Sequence, residues 1–233
     1  MTAGFIPAHG GYEDLHSYQK SLIVFIATYY LAARWVRKGS RTRDQMEQSA
    51  RSGKQNIVEG SLASATSKQT EIHLTNVARA SLGELLEDYK DFLLIRGLPI
   101  WPKDAPRMLA LRALGRNDET YETYRTFVES NDPEVVGNVM VCLCSQTCYL
   151  LDQQIRKLEQ AFLKEGGIRE RMTQARNEAR DQQTPPAPNT PGCPLCNKPM
   201  RKLTARQGQN AGKPFWGCSS FPACKGTRSF VSI

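Results

Sequence analysis

The sequence predicts an all-α fold, an up-down four-helix bundle with a helical insert before the fourth helix, followed by a small cysteine-rich domain on a flexible linker. Apolar residues recur every three or four positions in four long segments, as they do on one side of a helix. A polar, proline-rich stretch follows these segments, and four cysteines in two pairs follow that stretch. We therefore expect a helical bundle over residues 12–164, a linker over 165–192 and a second domain over 193–233.

The first helix is predicted to carry apolar residues on two faces. One stripe steps by three and four from Leu15 until Gly39 ends the pattern. Ile23, Ile26 and Tyr30 widen it beyond the single stripe that a lone bundle buries, so we expect the domain to form homo-oligomers. The members of the stripe are Leu15, Tyr18, Leu22, Phe25, Tyr29, Ala32 and Val36.

Three more long helices follow from the same spacing. The second begins near Arg41, the third ends at "RGLP", and the fourth begins at Pro133 with Asp132 as its N-cap. Two shorter helical pieces are expected in the insert, about 98–131. The inward positions are Met46, Ala50, Gly53 and Ile57 in the second helix, Leu74, Ala78, Ser81, Leu85 and Phe92 in the third, and Val141, Cys144, Cys148, Leu151, Ile155, Leu158 and Phe162 in the fourth.

Four polar residues lie on or beside these stripes: Asn56, Glu59, Ser81 and Glu84. The two carboxylates could form a metal or acid/base pair. The pattern favours a hydrogen-bonded network that fixes how the second and third helices pack, because buried polar groups must be satisfied. No catalytic triad and no HExxH motif occurs, so we expect a protein that is not an enzyme.

Two segments of the bundle resemble a known family. "QSARSGKQNIVEG" from Gln48 to Gly60 and "VARASLGELLEDYKDFL" from Val77 to Leu93 are similar to the four-helix-bundle proteins encoded in intervening sequences of bacterial ribosomal RNA genes. That family includes the accessory variability determinant of diversity-generating retroelements. The resemblance implies a ring-forming oligomer, often a pentamer, that associates with RNA or with a reverse transcriptase.

The positive charge of the chain is concentrated at its C-terminal end. The formal net charge is +8, and the residues from Cys193 onward include seven basic and no acidic side chains. Before them, "RNEARDQQTPPAPNTPG" from Arg176 has few apolar groups to bury, which predicts an extended, mobile tether. The basic end is thus expected to act as a separate module.

The cysteine spacing at this end predicts a zinc site. Cys193 and Cys196 form a CxxC pair, and Cys218 and Cys224 follow after twenty-one intervening residues. Two such pairs can surround one tetrahedral Zn²⁺, which prefers thiolate sulfur. A domain this short, with hardly any aliphatic core, needs such a metal in order to fold.

The same region resembles a second family. "CPLCNKPMRKL" and "GKPFWGCSSFPACKGTR" are similar to the four-cysteine zinc ribbon at the C-terminus of bacterial type IA DNA topoisomerases. The resemblance implies binding of single-stranded DNA, with basic residues on phosphates and aromatic residues on bases. Either Phe215 or Trp216 could instead pack over the metal, and Trp216 is favoured for stacking. The candidate contacts are Arg201, Lys202, Arg206, Lys213, Phe215, Trp216, Lys225 and Arg228.

The expected function is therefore non-enzymatic binding of single-stranded DNA or RNA by zinc ribbons carried on an oligomeric bundle. The alternative is a scaffold or reverse-transcriptase accessory factor whose ribbon docks protein. No basic and apolar leader is found, and the apolar run "LIVFIATYYLAA" is too short to span a bilayer. With clustered, odd-numbered cysteines this predicts a cytoplasmic protein.

Overall fold

A computed structural model describes residues 10–114, 120–183 and 190–230. The chain divides into two compact units, Met1–Ile168 and Arg169–Ile233. The first unit is helical, and the second contains one helix and a small antiparallel sheet. The helices are α1 (His16–Trp35), α2 (Arg41–Ala63), α3 (Lys68–Ile95), α4 (Pro106–Leu114), α5 (Tyr121–Val128), α6 (Pro133–Glu165) and α7 (Ile168–Gln183), and the strands are β1 (Met200–Thr204), β2 (Pro214–Cys218) and β3 (Thr227–Ser229).

Side-chain caps set where three of the long helices begin. Ser40 accepts a hydrogen bond from the backbone N–H of Arg43, and Ser67 accepts one from that of Thr70. Asp132 accepts from the N–H of Glu134 at 2.9 Å, which confirms the predicted cap of α6. Each cap satisfies an N–H that the first turn of a helix leaves without an intrahelical partner.

The four long helices of the first unit share one core. α2 packs against α3, α3 against α6, and α1 against both α2 and α6. The short helices α4 and α5 contribute Met108, Leu111, Tyr124 and Val128 to the same cluster, so the insert covers this core. The prediction of a mostly helical protein with two short helical pieces before the last long helix is confirmed.

The insert is fixed to α6 by a buried amide. The side chain of Asn138 is completely buried, accepts a hydrogen bond from the N–H of Trp101 at 2.7 Å and donates one to the carbonyl of Pro99 at 2.9 Å. The indole N–H of Trp101 donates to Glu134 at 2.7 Å. These bonds satisfy the backbone of an irregular segment that would otherwise lose its water partners.

Close helix packing depends on two glycines. A Cβ at Gly53 of α2 would lie 2.6 Å from Leu82 Cγ, and one at Gly137 of α6 would lie within 2.8 Å of Leu93 Cγ. Real Cβ atoms do not approach carbon this closely, so these positions let α3 approach its two neighbours.

The predicted inward face is correct for α2 and only partly correct for α1, where Ala32 is buried and Leu15, Tyr18, Phe25 and Val36 pack against the core. Met46, Ala50, Gly53 and Ile57 are all buried. In α1 the core residues include Ile23, Val24, Ala27 and Leu31, whereas Tyr29 of the predicted stripe is 39% exposed. The buried face of α1 also carries Ser17, Lys20, Ser21 and Thr28, so apolar periodicity alone did not locate its centre. In α6 the predicted Val141, Cys144 and Leu151 are buried, and Phe162 is exposed.

The predicted linker contains a helix. Where the sequence predicts an extended tether over 165–192, α7 occupies Ile168–Gln183. Its sequence is rich in Arg, Glu, Gln and Ala, which favour helix even without apolar burial, and Gln174 donates a hydrogen bond to Glu178 one turn later. Residues 184–189 of the predicted tether lie outside the described residues.

Residues Pro133–Arg180, which span α6 and most of α7, include an 18-residue window with a mean hydropathy of 1.3, long and apolar enough for a membrane span by length and composition alone. Since 61% of that window is buried inside the protein, and core helices of soluble proteins pass the same test, this is weak evidence for a membrane segment.

Candidate metal centre

The three strands of the second unit bring the two cysteine pairs together. β2 lies in the middle, antiparallel to β1 and to β3. The register places Met200 opposite Cys218 and Lys202 opposite Trp216. Because Cys193 and Cys196 precede β1 while Cys218 ends β2, the β1–β2 pairing delivers the pairs to the same end of the sheet.

Each cysteine pair lies on a tight turn closed by backbone hydrogen bonds. The N–H of Asn197 donates to the carbonyl of Cys193, and the N–H of Cys193 donates to the carbonyl of Lys198, both at 2.9 Å. Asn197 adopts a left-handed φ of 57°, a conformation that Asn tolerates better than most residues. In the second turn, the N–H of Cys224 donates to the carbonyl of Ser220.

The four sulfurs form one compact cluster. Sγ of Cys193 is 3.7 Å from Sγ of Cys224, and Sγ of Cys196 is 3.4 Å from Sγ of Cys218. All four lie within 4.8 Å of one another. Four thiolates about 2.3 Å from a tetrahedral Zn²⁺ are separated by about 3.8 Å, so the cluster is compatible with a single metal ion.

The surroundings favour thiolate at Cys193. Burial raises the pKa of this thiol, but hydrogen bonds from the backbone amides of Leu195 and Cys196 and from the Cys224 and Cys196 side chains outweigh that effect and lower the pKa to about 7. At Cys218 burial dominates and raises the pKa. The N–H of Ser220 lies 3.4 Å from the sulfur of Cys218. Amide donors of this kind stabilise the charged form that a metal requires.

Gly226 is a further residue of this centre. A Cβ at this position would overlap Cys193 Sγ and lie 3.6 Å from Cys224 Sγ. The carbonyl of Gly226 also accepts the N–H of Cys218 at 2.9 Å. The sequence analysis included this glycine only within a quoted segment, because a spacing rule for cysteines does not show which neighbour must lack a side chain.

Trp216 lies on the inner face of the sheet, against the cysteines. It packs on the cluster of Cys193, Met200 and Cys218, and its ring centroid is 5.6 Å from that of Phe230. The Lys202 ammonium lies 4.1 Å from the Phe230 ring. Two roles were considered for Trp216, stacking on a base and packing over the metal site, and its position in the structure corresponds to packing. Phe230 covers the site beside it and was not among the predicted residues.

Phe215 lies on the opposite face, which we call the outer face. Arg201 and Leu203 share this face, because Leu203 pairs with Phe215 and strand side chains alternate. Leu203 is 45% exposed, and Phe221, in the turn between the last two cysteines, is 62% exposed. Phe221 was not a predicted site residue, although the quoted "FPAC" segment contains it.

The remaining predicted contacts are spread around the sheet. Lys225 and Arg228 are exposed beside and on β3, and Arg206 and Lys213 are exposed in the loop between β1 and β2. Lys202 and Arg228 both pair with Trp216 and so lie on the inner face. The predicted basic residues therefore divide between two faces and a loop.

The predicted polar network is only partly assembled. Asn56 donates to the Ser52 hydroxyl at 3.1 Å, and that hydroxyl lies 3.1 Å from the hydroxyl of Ser81. Glu59 and Glu84 are exposed and lie outside this chain of hydrogen bonds. Helical spacing placed both carboxylates beside the apolar stripe, where they reach water without needing a partner.

The other three cysteines lie in α6. Cys142 and Cys144 are buried in the helical core, and burial raises the pKa of both thiols. Cys148 is half-buried. Protonated, shielded thiols are ordinary core residues. Cys144 and Cys148 were predicted as inward positions, whereas Cys142, which is also buried, was not.

Comparisons with protein-family models, with curated proteins and with solved structures gave no match.

Proposed function

We propose that this protein binds single-stranded DNA or RNA through its second unit, held in shape by one structural Zn²⁺, without catalysing a reaction. The observation that supports this most is the outer face, where Arg201 and Phe215 lie on the same side of a sheet that has four clustered cysteines at one end. Such a surface offers cations for phosphates and flat rings for bases.

Zinc is the metal that best suits this ligand set. Four cysteine sulfurs form a soft, closed shell that leaves no position for water or substrate, which is typical of structural rather than catalytic zinc. Bound there, the metal ties the two turns together and supplies no reactive group. Cys193, Cys196, Cys218 and Cys224 would be its ligands.

Charge supports a nucleic-acid partner. The residues from Cys193 onward carry seven basic and no acidic side chains. Even with the negative charge of a four-thiolate zinc centre, this region remains strongly positive. A polyanion would be attracted to it at long range, and aromatic stacking, which tolerates any base, would add affinity at contact.

We also propose that the first unit is an up-down four-helix bundle of the ribosomal intervening-sequence type and that it forms a cytoplasmic homo-oligomer. The support is the sequence similarity in α2 and α3 and the outward face of α1. On that face Ile26 and Tyr29 are exposed and the ring of Phe25 lies 4.9 Å from that of Tyr29. An oligomer would multiply weak single-strand contacts through a high effective concentration.

The binding proposal is tested on the full chain with labelled single-stranded DNA, single-stranded RNA and duplex DNA over a range of salt concentrations. Affinity for single strands should fall steeply with salt, since about 0.7 counterions are released per phosphate contact. Arg201→Ala with Lys202→Ala should flatten this slope. The matched control is Arg37→Ala with Lys38→Ala, an exposed Arg-Lys pair of the first unit.

An equal effect of the control pair would move binding into the helical unit. Absence of binding by the zinc-loaded full chain would reject the proposal and favour docking of a protein, such as a reverse transcriptase. Light scattering tests the oligomer separately: a monomer at micromolar concentration contradicts it, and Ile26→Glu should reduce the mass of an oligomer.

A further inference from the structure

A cleft of about 640 Å³ opens between α7 and the outer face of the sheet. One wall is α7, with Thr173, Asn177 and Arg180. The other wall belongs to the cysteine-rich region. Its side chains are Arg201, Leu203, Phe215, Phe221, Pro222, Lys225 and Thr227. Both walls lie within the second unit.

The cleft is positively charged. Arg180, Arg201 and Lys225 are basic, and none of the described residues that line it is acidic. Burial, and after it the positive charge of Arg180, lower the pKa of Arg201. Arg180 and Arg201 lie on opposite walls, so both positive charges would attract the phosphates of an anionic occupant.

The cleft is also apolar where a base would lie. Leu203 and Phe221 remain 45% and 62% exposed although α7 lies on this side. Phe215 and Pro222 complete the surface. An occupant that combines negative charge with flat, apolar rings fits both properties, and single-stranded nucleic acid has one phosphate and one base in every repeat.

We propose that α7 is part of the binding site and that the strand runs in this cleft, with Arg180 and Arg201 on its phosphates and Phe215 and Phe221 against its bases. This inference rests on the proposed function. It adds α7 to the proposed binding site, which neither the cysteine pattern nor the basic C-terminal end indicates. The helix that occupies the expected tether thereby acquires a role in recognition.

The test is the affinity of the zinc-loaded full chain for a fluorescent oligothymidylate over a range of salt concentrations. Arg180→Ala should weaken binding about fivefold at low salt and reduce the salt slope by about 0.7. The matched control is Arg176→Ala, an exposed arginine one turn earlier on α7 that does not line the cleft. Arg180→Lys should retain most of the salt slope, because it keeps the charge.

The outcomes separate this inference from the proposed function. Weaker binding by Arg180→Ala with normal binding by Arg176→Ala supports the cleft. If both variants bind normally while Arg201→Ala binds weakly, or if both weaken binding equally, the cleft is rejected and single-strand binding stands. If the unmodified chain does not bind the oligonucleotide, the proposed function fails and this inference fails with it.

Discussion

The two units of this protein are stabilised in different ways. In the described part of the first, twenty-five buried apolar residues form one core, to which the helices α1 to α6 all contribute. In the second, the buried cluster is Cys193, Met200 and Cys218, with Trp216 and Cys224 packed against it. A core that small cannot offset the entropy of ordering a sheet and two turns, so we expect the second unit to depend on the zinc proposed above.

This difference corresponds to two separate sequence signals, one in the helical segments and one in the cysteine pairs. A large core requires repeated apolar positions, and their spacing gives the helices. A metal centre requires a few ligands at fixed separations, and the cysteine pairs give the site. The helical unit is stabilised by its apolar core and the cysteine-rich unit by the proposed metal. Experiments that perturb one kind of stabilisation should therefore leave the other unit intact.

The largest expected effect is that of removing the proposed zinc ion. Chelation, or Cys218→Ser, should unfold the sheet, since structural zinc contributes about 10–16 kcal/mol in small zinc domains, more than this unit gains from packing. Zinc content and amide NMR signals of residues 190–230 would show the loss, and the thermal transition of the helical unit should not move.

Cys148→Ser is the matched control, because Cys148 is half-buried in α6 and outside the cluster. It should retain one zinc per chain. A sheet that persists after strong chelation, or helices that melt with it, would contradict the separation of the two units.

Truncation of the helical core should have the next largest effect. Leu85 of α3 is completely buried, so Leu85→Ala should lower the free energy of unfolding of the helical unit by about 2–5 kcal/mol. Leu94, on the same helix, is 71% exposed, and Leu94→Ala should change it by less than about 0.5 kcal/mol. Chemical denaturation followed by circular dichroism measures both, and zinc content should stay constant in each variant.

The two aromatic residues at the centre of the sheet should behave differently from each other. Phe215→Ala should weaken binding of single strands by about 1–3 kcal/mol per stacked base at every salt concentration, with normal zinc content. Trp216→Ala removes the cover of the cysteines and should speed zinc loss to a chelator. The reverse pattern would show that the inner face, and not the outer, contacts the strand.

Much of this fold and of the metal centre could be predicted from the sequence, and the failures have physical causes. The face of α2 was correct because its polar residues leave only one apolar stripe. The face of α1 was only partly correct because its buried side includes polar residues such as Lys20 and Thr28, whose burial depends on partners in other helices. Phe221 and the wall formed by α7 were missed, since their positions follow from tertiary structure and neither has a spacing that distinguishes it.

The smallest effect concerns two helical glycines, and it tests whether packing or propensity sets the stability of the first unit. Gly53 faces Leu82, where an added Cβ has no room, whereas a Cβ at Gly83 of α3 would meet nothing within 4 Å. Gly83→Ala should therefore stabilise the helical unit by about 0.5–1 kcal/mol, because alanine loses less backbone entropy in a helix than glycine does. Gly53→Ala gains the same propensity, but α2 and α3 must separate or Leu82 must change rotamer, and strain of this kind costs about 1–3 kcal/mol. We therefore expect Gly53→Ala to leave the free energy of unfolding unchanged or to lower it. Denaturation midpoints of both variants decide the point: equal stabilisation by the two alanines would mean that close approach of α2 and α3 is not required, and that the core tolerates more change than its packing indicates.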